Sequence, residues 1–289
     1  MSVTSKQLLN PLDARKVETL LRVAHLAKQR GVPLLLVGAF ARDVHLWHIH
    51  NIEITRSTAD IDLSIQLPSW AAFESLRHHL LQAGFEKPNP DHQEKFRDTI
   101  TGQEIDLIPF GAISQDGEKI IWPGGDHPFS IVGFQDALNH AILLELTQGK
   151  ASETLPVARL AGVVVLKMVA LSDRPQSRRK KDSVDMAFII EKYLDTGHRD
   201  RLKGAAGAAI MAACKGDLRR AAAYLMGEDM QRQTTAGTRN KIEALLTHEI
   251  ESKSDCPLAQ QLGGVLTRGN FQEARAVLTA MRAGLRSNR

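Results

Sequence analysis

Asp60 and Asp62 flank one isoleucine in Thr58-Ala59-Asp60-Ile61-Asp62-Leu63. On a strand, residues at i and i+2 project from the same face. Two like charges held that close repel, and each has its pKa raised unless a cation lies between them. Hard oxygen ligands of this kind suit Mg²⁺ or Mn²⁺, which usually keeps waters and bridges substrate phosphates. Asp106, in Glu104-Ile105-Asp106-Leu107-Ile108, can supply a third carboxylate from a neighbouring strand. Three carboxylates on adjacent strands meet the needs of two-metal phosphoryl transfer. A bare D-x-D also suits the solvent face of an amphipathic edge strand, so the surrounding chain has to discriminate.

One element upstream stands Val37-Gly38-Ala39-Phe40-Ala41-Arg42-Asp43. A strand, a glycine and a helix start in that order offer free backbone N–H groups and a positive helix end to a triphosphate. Gly38 would let a phosphate approach the backbone. Arg42 can reach a phosphate, or pair with Asp43 or Asp60. Downstream, Lys167 lies in an apolar helical run with Leu160, Val163, Val164, Leu166, Val169 and Ala170. A lysine there either snorkels to solvent or is aimed at an anion. Arg174, Arg178, Arg179, Lys180 and Lys181 crowd into eight positions, a pattern that suits a solvated loop or a phosphate contact. Asp182 and Asp185 are three apart and share a helix face.

These groups need elements to hold them. Asn10-Pro11 reads as an N-cap with proline in the first turn of a helix that Gly31 ends. Residues 33–37 read as a buried strand, and Ala39 to Ile49 as a second helix. Ala59 to Leu67 alternates as a strand, with Ile61, Leu63, Ile65 and Leu67 opposite Asp60, Asp62, Ser64 and Gln66. Pro68-Ser69 starts a helix running to Gly84. Glu94 to Ile100 and Glu104 to Phe110 read as strands of a tight hairpin around Thr101-Gly102-Gln103. Ser114 to Pro128 reads as a loop with a short strand at Lys119 to Trp122; Trp122 itself could cover a nucleotide base. Asn139 to Thr147 and Ala151 to Leu155 suggest another hairpin. Pro156 to Leu171 and Lys181 to Leu194 read as helices separated by the basic linker SDRPQSRRK, and an alanine-rich helical remainder follows. The expected organisation is α+β: a mixed sheet with helices over 1–155, then an all-helical region over 156–289.

Composition sets wide bounds. The chain has 289 residues, 43% hydrophobic and 24% charged, which is ordinary for a globular protein. Its net charge of +4 and pI near 9.1 permit an anionic partner without requiring one. Two cysteines make no disulfide framework, and neither sits in a C-x-x-C. The eleven histidines form no H-E-x-x-H pattern and read as surface or satisfied residues. No apolar stretch is long enough for a signal peptide or a membrane span, so a cytoplasmic protein is expected.

Together, Gly38, Asp60, Asp62 and Asp106 resemble the nucleotidyltransferase superfamily of DNA polymerase beta, poly(A) polymerase and kanamycin nucleotidyltransferase. The closer resemblance is to the AbiEii toxin branch. It is carried by Arg56 before the D-x-D, by Lys167 with Arg174 following, and by Lys181-Asp182-Ser183-Val184-Asp185, over roughly residues 30 to 195. One departure is Ala39, where the superfamily turn usually has a serine or glycine after the first glycine. The resemblance implies a polymerase-beta-type domain followed by helices, and NMP transfer from an NTP to an acceptor hydroxyl. It implies metal ligation by Asp60, Asp62 and Asp106. It gives nucleotide contacts to Gly38, Ala39, Arg42, Arg56, Lys167 and Arg174, and a catalytic or lysine-orienting role to Asp182 and Asp185. It also implies an RNA acceptor, the 3′ end of a tRNA, and an antitoxin partner. A small-molecule acceptor such as an aminoglycoside, a protein side chain, and a non-catalytic nucleotide-binding protein remain rivals.

Overall fold

In the computed structural model the described residues are 2–4, 8–54, 58–173, 176–252 and 256–287. Two compact units divide between Arg159 and Leu160.

The first unit opens with β1 (Ser2–Thr4) and α1 (Ala14–Gln29). The cap of α1 is Asp13, not Asn10: its carboxylate accepts from the N–H groups of Arg15 and Lys16. The Asn10 amide is committed elsewhere, donating to Trp47 O (2.8 Å) and Asn51 Oδ1 (2.9 Å). β2 (Leu34–Leu36) leads to α2 (Gly38–Asp43), which widens into a π-helical turn over Val44–Ile49. β3 (Ile61–Gln66) and α3 (Trp70–Gln82) follow, the latter capped by Ser69 Oγ on Ala72 N–H. Then come β4 (Phe85–Glu86), β5 (Lys95–Asp98), β6 (Glu104–Phe110), the small ribbon β7 (Lys119–Ile121) with β8 (Pro128–Ser130), and α4 (Phe134–Asn139). The hairpin of β9 (Ile142–Gln148) and β10 (Ala151–Val157) closes the unit.

Among the described residues the main sheet has the order β1-β9-β10-β2-β3-β6-β5-β4 and is mixed. β3 is a central strand, antiparallel to β2 and parallel to β6. An edge-strand reading of the D-x-D therefore does not apply. Ile61, Leu63 and Ile65 of β3 and Ile105 and Leu107 of β6 are buried on one face, so a one-residue slip would drive aspartates into the core. Burial is not confined to that face: Ser64, two residues past Asp62, is also fully buried. β5 is anchored to α1 through Asp98, which accepts from Thr19 Oγ1 (2.9 Å) and pairs with Arg22. Trp122 packs against Trp70 and Phe73, with ring centroids 5.3 and 5.4 Å away. It is part of an aromatic cluster.

The second unit is helical: α5 (Leu160–Asp173), α6 (Gln176–Lys192), α7 (Gly204–Ala213), α8 (Leu218–Gln233), α9 (Ala236–Glu251), α10 (Pro257–Leu266) and α11 (Phe271–Leu285). α5 starts later than Pro156 because Pro156 and Val157 finish β10, paired with Leu143 and Ile142. The basic segment is not a linker throughout, since the α6 backbone is helical from Gln176. α8 and α11 approach closely at glycines: a Cβ on Gly227 would fall 2.0 Å from Met281 O, and one on Gly284 1.9 Å from Tyr224 O. No helix among the described residues is long and apolar enough to cross a membrane.

Candidate active site

The register of the central strands sets Asp62 directly beside Asp106. Antiparallel pairing of β5 with β6 sets Lys95 on the other side of Asp106. Lys95 Nζ donates to Asp106 Oδ1 (2.8 Å) and Oδ2 (3.0 Å). Burial is the main influence raising the Asp106 pKa; the Asp62 and Glu94 charges add to it, and Lys95 opposes them. Lys95 is held above the usual lysine range. Burial is its largest single influence and lowers it, but the hydrogen bond to Asp106 and the charges of Asp106, Glu94 and Asp60 together outweigh that. Asp60 stands one residue before β3, half-buried. Among the described residues no three carboxylate, histidine or cysteine side chains are gathered closely enough to hold a metal. The structure thus joins Asp62 with Asp106 and brings the Asp60 charge within reach of Lys95, short of a three-ligand group.

Gly38 explains how Asp62 is accommodated. Its φ is +68°, a left-handed conformation that favours glycine. A Cβ there would lie 2.0 Å from Asp62 Oδ2. The bare side of Gly38 is therefore filled by the Asp62 carboxylate, and Val37 N–H donates to Asp62 O (3.0 Å) from the same turn. This cradle, with two half-buried carboxylates opposed on one face, fits a hard divalent cation such as Mg²⁺ or Mn²⁺. Ala39 is buried. Arg42 is buried as well and donates from Nε (2.8 Å) and Nη2 (2.6 Å) to Asp43 Oδ1, so the ion pair is the role seen. Arg56 and Arg174 lie outside the described residues.

Within the second unit, Lys167 on α5 donates to Asp182 Oδ1 (3.0 Å) and Asp185 Oδ2 (2.7 Å) on α6. All three are buried, Lys167 being 8% exposed. It does not snorkel. The i, i+3 spacing on α6 places both carboxylates on one ammonium.

The AbiEii family pattern, described as nucleotidyl transferase AbiEii toxin of a type IV toxin–antitoxin system, matches residues 24–259. The chain belongs to the AbiEii nucleotidyltransferase family. Its activity is therefore nucleotidyl transfer from an NTP, and its family partner is an antitoxin. A comparison with curated proteins finds no similar sequence. Among solved structures, an antigenic nucleotidyltransferase-like protein from Paracoccidioides brasiliensis is 18% identical, with 74% of this chain and 94% of that one covered and a TM-score of 0.39. The antibiotic-resistance factor ANT(2'')-Ia in solution is 15% identical, with 65% and 98% covered and a TM-score of 0.32. The same factor in complex with adenylyl-2''-tobramycin is 14% identical, with 65% and 99% covered and a TM-score of 0.33.

Two lysines of this AbiEii chain's first unit were not singled out from the sequence. Lys16 borders a cleft of about 1040 Å³ that also reaches Asp43, Trp47, Asp60, Arg97 and Gln103. Its Nζ donates to Thr58 O (2.5 Å) and lies 4.3 Å from the Phe40 ring centroid. Burial lowers its pKa, against the raising charges of Asp43, Asp13 and Asp60. Nothing local marks Lys16, which reads as an ordinary polar residue of α1. Lys95 is marked only once the hairpin register is known, since a turn confined to Thr101-Gly102-Gln103 would set Asp98 opposite Asp106. Once a tight hairpin closes with Asp98 N–H on Gln103 O (2.9 Å), counting back pairs Arg97 with Glu104 and Lys95 with Asp106.

The Lys167 cluster carries a stability prediction. Lys167→Met removes the ammonium shared by two buried carboxylates and is expected to destabilise the protein by roughly 3 kcal/mol. Denaturant unfolding measures it. Adding Asp182→Asn and Asp185→Asn should recover most of the loss, and a neutral effect of Lys167→Met alone would refute the argument.

Proposed function

We propose that the chain is a divalent-cation-dependent enzyme that moves an NMP from an NTP to an RNA hydroxyl, the 3′ end of a tRNA, as a toxin silenced by its antitoxin. The observation that carries the cation part is the register pairing of Asp62 with Asp106 beside the bare face of Gly38. When bound, Mg²⁺ or Mn²⁺ would activate the acceptor hydroxyl and steady the leaving pyrophosphate. The chain's own part is to present Asp62 and Asp106, with Asp60 close by, as hard oxygen donors. Gly38 leaves the Asp62 carboxylate its room, and Lys95 holds that of Asp106. For Lys167 we keep the anion contact that the resemblance implies, with Asp182 and Asp185 fixing its position.

The RNA part is supported by the family's toxin description and by the basic pI near 9.1. The cleft bordering Asp60 is roomy enough for a terminal nucleotide. Phosphate contacts release counterions, so affinity for tRNA should fall steeply with salt, by about a thousandfold between roughly 50 and 200 mM for about six contacts. A small-molecule acceptor would show a far shallower slope. The test offers each labelled NTP with purified tRNA, other RNA, aminoglycosides and protein in parallel. Label on tRNA alone is expected. Label on a small molecule or protein alone would remove the RNA reading and leave nucleotidyl transfer standing.

A further inference from the structure

Asp62, Asp106 and Lys95 form one cross-strand row over β3, β6 and β5. Lys95 Nζ addresses both oxygens of Asp106, at 2.8 and 3.0 Å. The other charges facing this ammonium are Glu94 on its own segment and Asp60. β5 is fixed by the contacts of Asp98 with Thr19 and Arg22, so Lys95 does not hang from a free edge. Glu94 and Asp62 are also the charges that bear on Asp106 besides Lys95 itself. A carboxylate offers about four lone-pair positions. An ammonium engaging both oxygens leaves the remaining positions for another cation, and it repels that cation.

We propose that Lys95 is a positioning residue and a built-in counter-ion: it fixes the Asp106 carboxylate and shares it with the divalent cation, so that cation loading proceeds against the lysine charge. The inference rests on the reading of Asp62 and Asp106 as cation ligands. Two consequences follow from the row. Without a divalent cation, Lys95 offsets the repulsion of neighbouring carboxylates that would otherwise destabilise adjacent strands. With one, the ammonium limits affinity, since a like charge a few ångström away opposes a divalent ion by a decade or more even at the dielectric of water.

The experiment titrates Mn²⁺ into the full chain by calorimetry, with thermal melts in chelator and in Mn²⁺ alongside. Lys95→Met and Lys95→Gln are each expected to bind Mn²⁺ about tenfold tighter than the unaltered protein. Lys95→Arg, which keeps the charge, should stay within about threefold. In chelator Lys95→Met should melt lower than the unaltered protein, and Mn²⁺ should restore it by a larger upward shift. A merely structural lysine would lower the melting temperature equally with and without Mn²⁺. Unchanged or weaker Mn²⁺ affinity in both neutral variants overturns the role of Lys95 and leaves the cation site standing. Mn²⁺ binding that is absent from the unaltered protein, or indifferent to Asp62→Asn, overturns the cation site and this proposal with it.

Discussion

Asp62→Asn is expected to abolish nucleotidyl transfer, with a loss of about a thousandfold or more, while the chain stays folded. Asparagine keeps the shape and removes the charge. Asp62 faces Asp106 across parallel strands, and both are half-buried. The charge of Asp62 is one of the influences raising the pKa of Asp106. Like charges directly opposite on adjacent strands destabilise a sheet. Their retention at the centre of one is therefore a burden on stability that catalysis must explain. Removing one should leave the melting temperature without divalent cation unchanged or slightly higher. A thousandfold corresponds to about 4 kcal/mol of barrier, within what a bound metal supplies at a developing charge. Asp106→Asn should lose activity similarly but also strip Lys95 of its partner, and so lower stability. Transfer rates with labelled NTP, paired with thermal melts, check both. Activity of Asp62→Asn within tenfold of the unaltered protein would end the assignment.

Gly38→Ala is the second large effect. One methyl group would stand 2.0 Å from Asp62 Oδ2, far inside contact distance, on a residue whose φ is +68°. The left-handed backbone alone disfavours alanine by about 1 kcal/mol. The overlap forces either the carboxylate or the turn to move, for a total of roughly 1–3 kcal/mol and several degrees in melting temperature. A misplacement of about 1 Å at a reacting group costs roughly a hundredfold in rate, which is the activity loss expected here. Gly149→Ala is the control. That glycine has φ +59° in the β9–β10 turn, with nothing within 4 Å of its imagined Cβ. It carries the backbone penalty without the collision, so it should lower stability slightly and spare transfer. Equal activity in the two variants would show that the Gly38 cradle does not matter to Asp62.

Much of this site could be read along the chain. The alternation about Ile61, Leu63 and Ile65 gave the strand that carries Asp62, with Asp60 one residue before it. The Thr101-Gly102-Gln103 turn gave a hairpin but not its register: a turn of those three residues would set Asp98 opposite Asp106, whereas the strands close with Asp98 on Gln103 and so set Lys95 there. Asp182 and Asp185, three apart, were expected on one helix face, as found. Less legible were the exact starts of α1 and α5, because Asn10 is drawn off by Trp47 and Asn51 and because Pro156 belongs to a strand. The six-residue helix α4 was missed; it is too short to show a helical period.

The sequence by itself determined the strands and helices that matter to the site, and the family, since these follow from local periodicity and ordered motifs. Only the tertiary structure decided which groups meet. Asp62 and Asp106 are neighbours because β6 pairs with β3 across a helix and two other strands, and nothing near either residue encodes that adjacency. The space beside Gly38 went to a carboxylate 24 positions away, Arg42 went to Asp43, and Lys167 went to two buried aspartates. A buried charge takes its role from the partner that offsets its desolvation, and distant partners are chosen by packing and strand register rather than by spacing along the chain.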